Sequence, residues 1–194
     1  MPTTFPELEP DDYHWSATAF QTRANLANGE VQVNEPHPAL QRVFDFGYSM
    51  LEAPEMWQQL VPHFEANKGR TFTLFDFWEI PHVDQKLGSG DGSTRVFLVP
   101  AKAIQGLVIK VSGAIKTVTF VPDLGPEGEG QITFAPADTP AVGAPILWSA
   151  ASARRRFTVL YYSGPNTPPR FDPIPIDGGL WGARFQLLEK ITRP

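Results

Sequence analysis

Apolar and polar positions alternate with period two along much of this chain, and a helical period of three to four governs a single stretch. Between Arg42 and Met50, the rings of Phe44, Phe46 and Tyr48 fall on one face, which predicts a strand. From Ala17 to Ala27 the alternation is mixed, as in an edge or half-buried strand, and Asn28-Gly29 supplies the positive φ angles of a two-residue turn. Val31 to Asn34 would be the returning strand, and Pro36-His37-Pro38 breaks the pattern after it. The helical stretch covers residues 54–68. Pro54 and Glu55 suit a first turn, Trp57, Leu60, Val61 and Phe64 form one stripe, and Lys68-Gly69 closes the helix. Pro62 lacks an N–H and crowds the preceding turn, so a kink or a split into two turns is expected. From Arg70 to Trp78, Phe72, Leu74, Asp76 and Trp78 share one face and Thr71, Thr73, Phe75 and Phe77 the other. Such a strand is covered on both sides, with a neighbouring subunit as one possible cover.

The texture changes between Gln85 and Ala150. After Gly88-Ser89-Gly90-Asp91-Gly92-Ser93 come short strand patterns at 95–99, 107–112, 116–121, 131–134 and 145–149, separated by turn residues. This spacing predicts a small β-sandwich or barrel. A strand at 156–162, a Pro-rich loop at 164–175 and a strand candidate at 181–191 follow. These last pieces are too few to fold alone and should complete the sheet begun before Gln85. The expected fold is mainly β with one α-helix. Residues 1–84 and 151–194 would form a discontinuous β core, with residues 85–150 inserted as a small β-sandwich module.

Composition sharpens this picture. Of 194 residues, 42% are hydrophobic and 19% charged, with 14 Phe and 5 Trp, enough to fill a core and interfaces together. Twenty Pro and sixteen Gly are spread along the chain, which suits many short strands. The net charge of −5 and a single basic cluster, Arg154-Arg155-Arg156, argue against nucleic acid as a partner. The absence of Cys leaves no disulfide framework or thiolate metal site. The first ten residues are polar and Pro-interrupted, and no run approaches the ~20 apolar residues of a membrane span. A soluble protein made in the cytoplasm, without membrane insertion, is expected.

Candidate chemistry is sparse. His14, His37, His63 and His82 are scattered and none has a His partner at metal-ligand spacing. No Ser sits in a nucleophile elbow and no Gly-rich loop leads into Lys-Ser or Lys-Thr. No catalytic residue, cofactor or metal ligand is assigned. The Gly88–Ser93 run has the look of a phosphate cradle, or of a calcium loop through Asp84 and Asp91, but it lacks the acidic ladder and distal Glu of the latter. An entry turn into a strand explains it better. The 123–130 stretch reads as an exposed hairpin loop. The arginine triplet could bind an acidic neighbour or a sugar, or simply be a solvated strand start. Trp15, Trp78, Trp148 and Trp181 suit core or subunit interface better than a carbohydrate platform.

Two stretches carry a family resemblance. The helix Trp57-Gln58-Gln59-Leu60-Val61-Pro62-His63-Phe64-Glu65-Ala66-Asn67-Lys68-Gly69-Arg70 leads into Thr71-Phe72-Thr73-Leu74-Phe75-Asp76-Phe77. With the preceding strands, containing Arg23 and then Phe44 and Phe46, this resembles the distal tail protein family of long flexible-tailed phages and gene transfer agents. The match rests on Phe64, Glu65, Gly69, Arg70 and Asp76, and covers roughly the first 80 residues. Residues 88–98, Ile109-Lys110-Val111-Ser112-Gly113, the run from Gly130 to Pro136, and Gly143-Ala144-Pro145-Ile146 are similar to a small β module of phage tail and tail-fibre proteins. Pro62 and the segment from Arg170 onward depart from the family pattern.

The resemblance implies that the discontinuous core is a ring-forming β-sandwich or β-barrel, and that the chain is a structural virion protein rather than an enzyme: a subunit of a ring, hexameric in that family, at the tail tip or baseplate, assembled in the host cytoplasm. Its implied partners are copies of itself, the tail tube protein and the baseplate hub or other minor tail proteins. Subunit contacts are expected at or beside Phe72, Phe75, Phe77, Trp78, Arg154, Arg155, Arg156, Trp181 and Phe185. One alternative is a host-receptor or carbohydrate-binding tail module, with Trp148 or Tyr161 stacked on host-surface sugar. A cell-wall hydrolase is the remaining one.

Overall fold

The computed structural model describes residues 4–18, 22–25, 31–34, 41–164 and 167–190. The expected turns at Asn28-Gly29 and Pro36-His37-Pro38 lie outside them. The chain is mainly β with one helix, its sheets are antiparallel, and its core is of the β-sandwich or barrel kind. In order, the strands are β1 Asp12–Thr18, β2 Thr22–Asn25, β3 Val31–Asn34 and β4 Gln41–Leu51, followed by the helix. After it come β5 Phe72–Phe75, β6 Ile80–Ser89, β7 Val96–Val99, β8 Ala101–Gln105, β9 Val108–Val111 and β10 Ala114–Lys116. The series ends with β11 Val118–Val121, β12 Gly130–Phe134, β13 Pro145–Tyr162, β14 Ile174–Ile176 and β15 Leu180–Glu189. The chain divides into two compact units, Met1–Thr73 with Thr158–Pro194, and Leu74–Phe157.

In the first unit β1, β4 and β15 pair side by side, and β15 also pairs with β14 and with the end of β13. Period-two alternation sends Phe44, Phe46, Tyr48, Phe185, Leu187 and Tyr161 inward, all buried. The helix starts as a π-helical segment, Glu55–Leu60, and continues as α1, Val61–Asn67. The Val61 N–H donates to the Met56 carbonyl, five residues back. This widened turn lies immediately before Pro62, which falls in the first turn of α1, where its missing N–H costs little. The widening also rotates the buried stripe: Met56, Leu60, His63, Phe64 and Asn67 face inward, while Trp57 is 46% exposed. Gly69, at φ +76°, takes the left-handed position that ends the helix.

The sequence pattern carried a strand through to Trp78, but β5 stops at Phe75. There the Trp78 N–H donates to Asp76 Oδ1 at 3.1 Å and turns the chain. All four β5 residues are buried, and the chain's own side chains cover them: Tyr161 packs on Phe72 at 5.0 Å, and the Lys102 ammonium sits over Phe75 at 4.5 Å.

The second unit has its own core. The strands β10-β9-β13-β6 form one sheet, and β11-β12-β7 another. Ile109, Ile132, Phe134, Ile146 and Trp148 are the large side chains of the shared interior. The predicted strands at 145–149 and 156–162 are the two ends of a single 18-residue strand, β13. Residues 146, 148 and 150 are buried at one end and 153, 157, 159 and 161 at the other, so the inward parity changes between Ala150 and Ala153. Irregular pairing with β6 falls at the same place, and the extra residue of a bulge is what inverts the alternation.

Candidate functional site

The glycine-rich run forms a closed structural turn. Asp91 Oδ1 accepts the N–H groups of Ser93 and Thr94, at 2.8 and 2.6 Å, and Oδ2 accepts the Thr94 hydroxyl at 2.6 Å. These donors hold the Asp91 carboxyl well below the ordinary carboxylate range. Opposite it lies the turn that precedes β13. The Gly90 N–H donates to the Ala144 carbonyl at 2.8 Å, Gly143 N–H to Gly90 at 2.9 Å, and Gly92 N–H to Pro140 at 3.0 Å. A Cβ on Gly90 would lie 2.3 Å from the Ala141 carbonyl oxygen, so only glycine fits there. The acceptors of Asp91 are filled by the turn itself, which is how an entry turn is built.

The arginine triplet is tied down within its own unit. Arg154 Nε donates to the Asp76 carbonyl at 2.6 Å, and its guanidinium lies over Phe77 at 5.3 Å. The Arg155 guanidinium lies over Phe157 at 5.5 Å. Arg156 pairs with Glu129, whose side chain is almost fully buried, and reaches Glu127 at 3.5 Å. Burial works to raise the Glu129 carboxyl, but the N–H groups of the loop and Arg156 outweigh it and leave the carboxyl below its ordinary value. The 123–130 loop is therefore anchored to β13 through a buried charge pair, a contact that the separation of 27 residues hides from sequence inspection.

The remaining expected interface residues divide by exposure. Phe72, Phe75 and Phe185 are buried in the chain's own core, Phe77 is half-buried under Arg154, and Trp78 is 45% exposed. Trp181 is half-buried and packs edge-to-face with the exposed Trp57 at 5.0 Å. Trp148 and Tyr161 are 1% and 2% exposed, so neither ring can stack on an external ligand; this overturns the alternative that placed sugar on one of them and agrees with the core reading of Trp148.

Two polar groupings escaped the sequence reading. On the outward face of β1, β4 and β15, cross-strand pairing lines up His14, Asp45 and Gln186 beside Asp12 and Arg184. His14 is 3.6 Å from Asp12 and 3.4 Å from Asp45, and this row edges a shallow cavity of about 320 Å³. In the interior of the same unit, His63 Nδ1 is hydrogen-bonded to the Tyr161 hydroxyl at 2.9 Å. Burial pushes the His63 imidazole down to about 4 and the Tyr161 phenol well above its ordinary value. The only advance signal for His63 was its place seven residues after Met56 on the helix.

Among the described residues, no group of three or more His, Asp or Glu side chains is arranged to hold a metal ion, and no helix is long and apolar enough to cross a membrane. Compared with known families and curated proteins, the chain matches no family model and no curated sequence.

Proposed function

We propose that this chain is a structural, non-catalytic subunit of a phage-type tail, forming a ring with copies of itself between tail tube and baseplate hub. The observation that carries this reading is the β2–β3 hairpin. Among the described residues, these two four-residue strands pair with each other and with no other strand. A two-stranded ribbon is at best marginally stable in water, so an arm of this kind gains its support from another surface, and in a ring that surface is a neighbouring copy. Support also comes from the motif residues behind the resemblance, which act as structural fasteners: Gly69 ends the helix, Glu65 pairs with Lys68, and Asp76 and Asp91 cap turns. The exposed Trp57 and Trp78 are large apolar anchors of the sort that fill pockets on a partner.

The tail tube protein and hub or other minor tail proteins are the proposed further partners, and the virion tail tip the proposed location. Mass photometry and negative-stain imaging of the purified chain test the reading. Closed rings are expected, six-fold by the family resemblance, and replacing residues 22–34 with a short Gly-Ser linker should leave monomers with intact near-ultraviolet dichroism. Wild-type protein that remains monomeric at tens of micromolar would overturn it.

A further inference from the structure

The second unit carries an apolar socket and, further along the same strand, a knob that suits it. The socket is a cavity of about 230 Å³ lined mainly by Leu107, Ile109, Ile115, Lys116, Val118 and Phe120. It opens where the chain crosses from β10, the edge strand of one sheet, to β11, an edge strand of the other. Ile109 is buried and Ile115 stands exposed at the rim. The charged group of the lining, the Lys116 ammonium, is partly exposed and pairs with Asp138 at 2.7 Å. The knob is Leu124, 55% exposed in the loop that follows β11. An exposed leucine on a loose loop is ordinary, but this loop is closed on itself. The Gly125 N–H donates to the Glu129 carbonyl and the Gly128 N–H to the Gly125 carbonyl, both at 2.9 Å, and the Glu127 N–H donates to Glu129 Oε2 at 3.0 Å. Arg156 clamps the Glu129 carboxylate from β13.

We propose that Leu124 of one copy enters the socket of the next copy of this chain, with Asp123 meeting Lys116 at the rim. The contact belongs to the ring proposed above and rests on that reading. The socket gathers around the start of β11 and the knob follows its end, so each copy presents two different surfaces. Such head-to-tail contacts are the kind that repeat around a closed ring. The lining selects its occupant by polarity and charge. A charged side chain pushed among Leu107, Ile109, Val118 and Phe120 would lose its water without gaining a partner, whereas a leucine has no polar group to desolvate. The exposed Asp123 carboxylate beside that leucine gives Lys116 a second acceptor, and an ammonium has three donors to share between it and Asp138. Because the loop is fixed before it docks, inserting Leu124 orders little that is not already ordered.

Because the chain has no Cys, introduced thiols report this contact alone. Pro122→Cys and Thr117→Cys lie at exposed positions beside the knob and on the socket and leave both apolar surfaces intact. The two variants, one carrying a size tag, would be mixed in equal amounts, treated with a short bis-maleimide and run on a denaturing gel, while mass photometry counts copies in the untreated wild type. Mixed cross-linked pairs should form, and adding Leu124→Asp to the Pro122→Cys chain should cut their yield roughly tenfold or more, with near-ultraviolet dichroism unchanged. Rings that assemble without this link, or with a link that survives Leu124→Asp, overturn the contact and leave the ring standing, the socket then belonging to another occupant. A leucine-dependent link in pairs or open chains, without rings, upholds the contact and overturns the ring. Neither link nor ring overturns both.

Discussion

A proton, a methyl group or an indole at one position is enough to move this protein's stability by a measurable amount. In the unfolded chain His63 titrates near 6.5, whereas burial holds it neutral in the native state down to about 4. Between those values the unfolded chain binds a proton that the native chain refuses, so stability is full above pH 6.5 and falls as the pH drops. The loss by pH 4 should be about 3 kcal/mol, read from urea midpoints, and His63→Gln should flatten most of it. His82, whose imidazole burial also lowers, adds a change of the same sign. Gly90→Ala forces a Cβ against the Ala141 carbonyl and should cost about 1–3 kcal/mol, seen as a lower melting temperature. Trp148→Ala should cost about 3–5 kcal/mol by leaving a cavity, and should leave any polysaccharide retention unaltered because the ring is buried.

Elements were legible where one physical cause set the pattern. The single helix, the strand of Phe44, Phe46 and Tyr48, and β7, β9, β11 and β12 follow directly from apolar spacing and turn residues. The helix's buried face did not, because a π-helical turn shifts the stripe by one residue and spacing alone assumes a uniform helix. β8 was missed since Ala101-Lys102-Ala103-Ile104-Gln105 alternates weakly, and Ala103 takes φ +49° inside it. The arginine triplet looked like a surface charge run, while its partners at Asp76, Phe77, Phe157 and Glu129 were set by folding. Its role is testable through the 123–130 loop. Arg156→Ala leaves the Glu129 carboxylate buried without its cation and should destabilise by about 2–3 kcal/mol, discounted because the arginine is one-third exposed. Glu129→Gln in the same background should recover part of that loss in thermal melts.

At the scale of the molecule, the proposed ring places a demand on surfaces rather than on clefts. Trp57 and Trp78 keep nearly half their area exposed in the single chain. Trp78→Ala should therefore raise the concentration of half-assembly by roughly tenfold, about 1.4 kcal/mol, with little change in the melting temperature of the monomer. Dilution series in mass photometry measure this directly. A net charge of −5 per chain adds mutual repulsion, so assembly should strengthen as salt is raised from about 10 to 150 mM.

The inversion halfway along β13 makes that strand behave like a reading frame. Removing one residue away from the bulge, at Ser149 for instance, would put the two ends out of step and thereby turn one of them inside out. Either Ile146 and Trp148 or Phe157, Val159 and Tyr161 would be presented to water. A single-codon deletion at Ser149 should accordingly be far more damaging than one at Ala151, where the strand loses only the extra residue of its bulge.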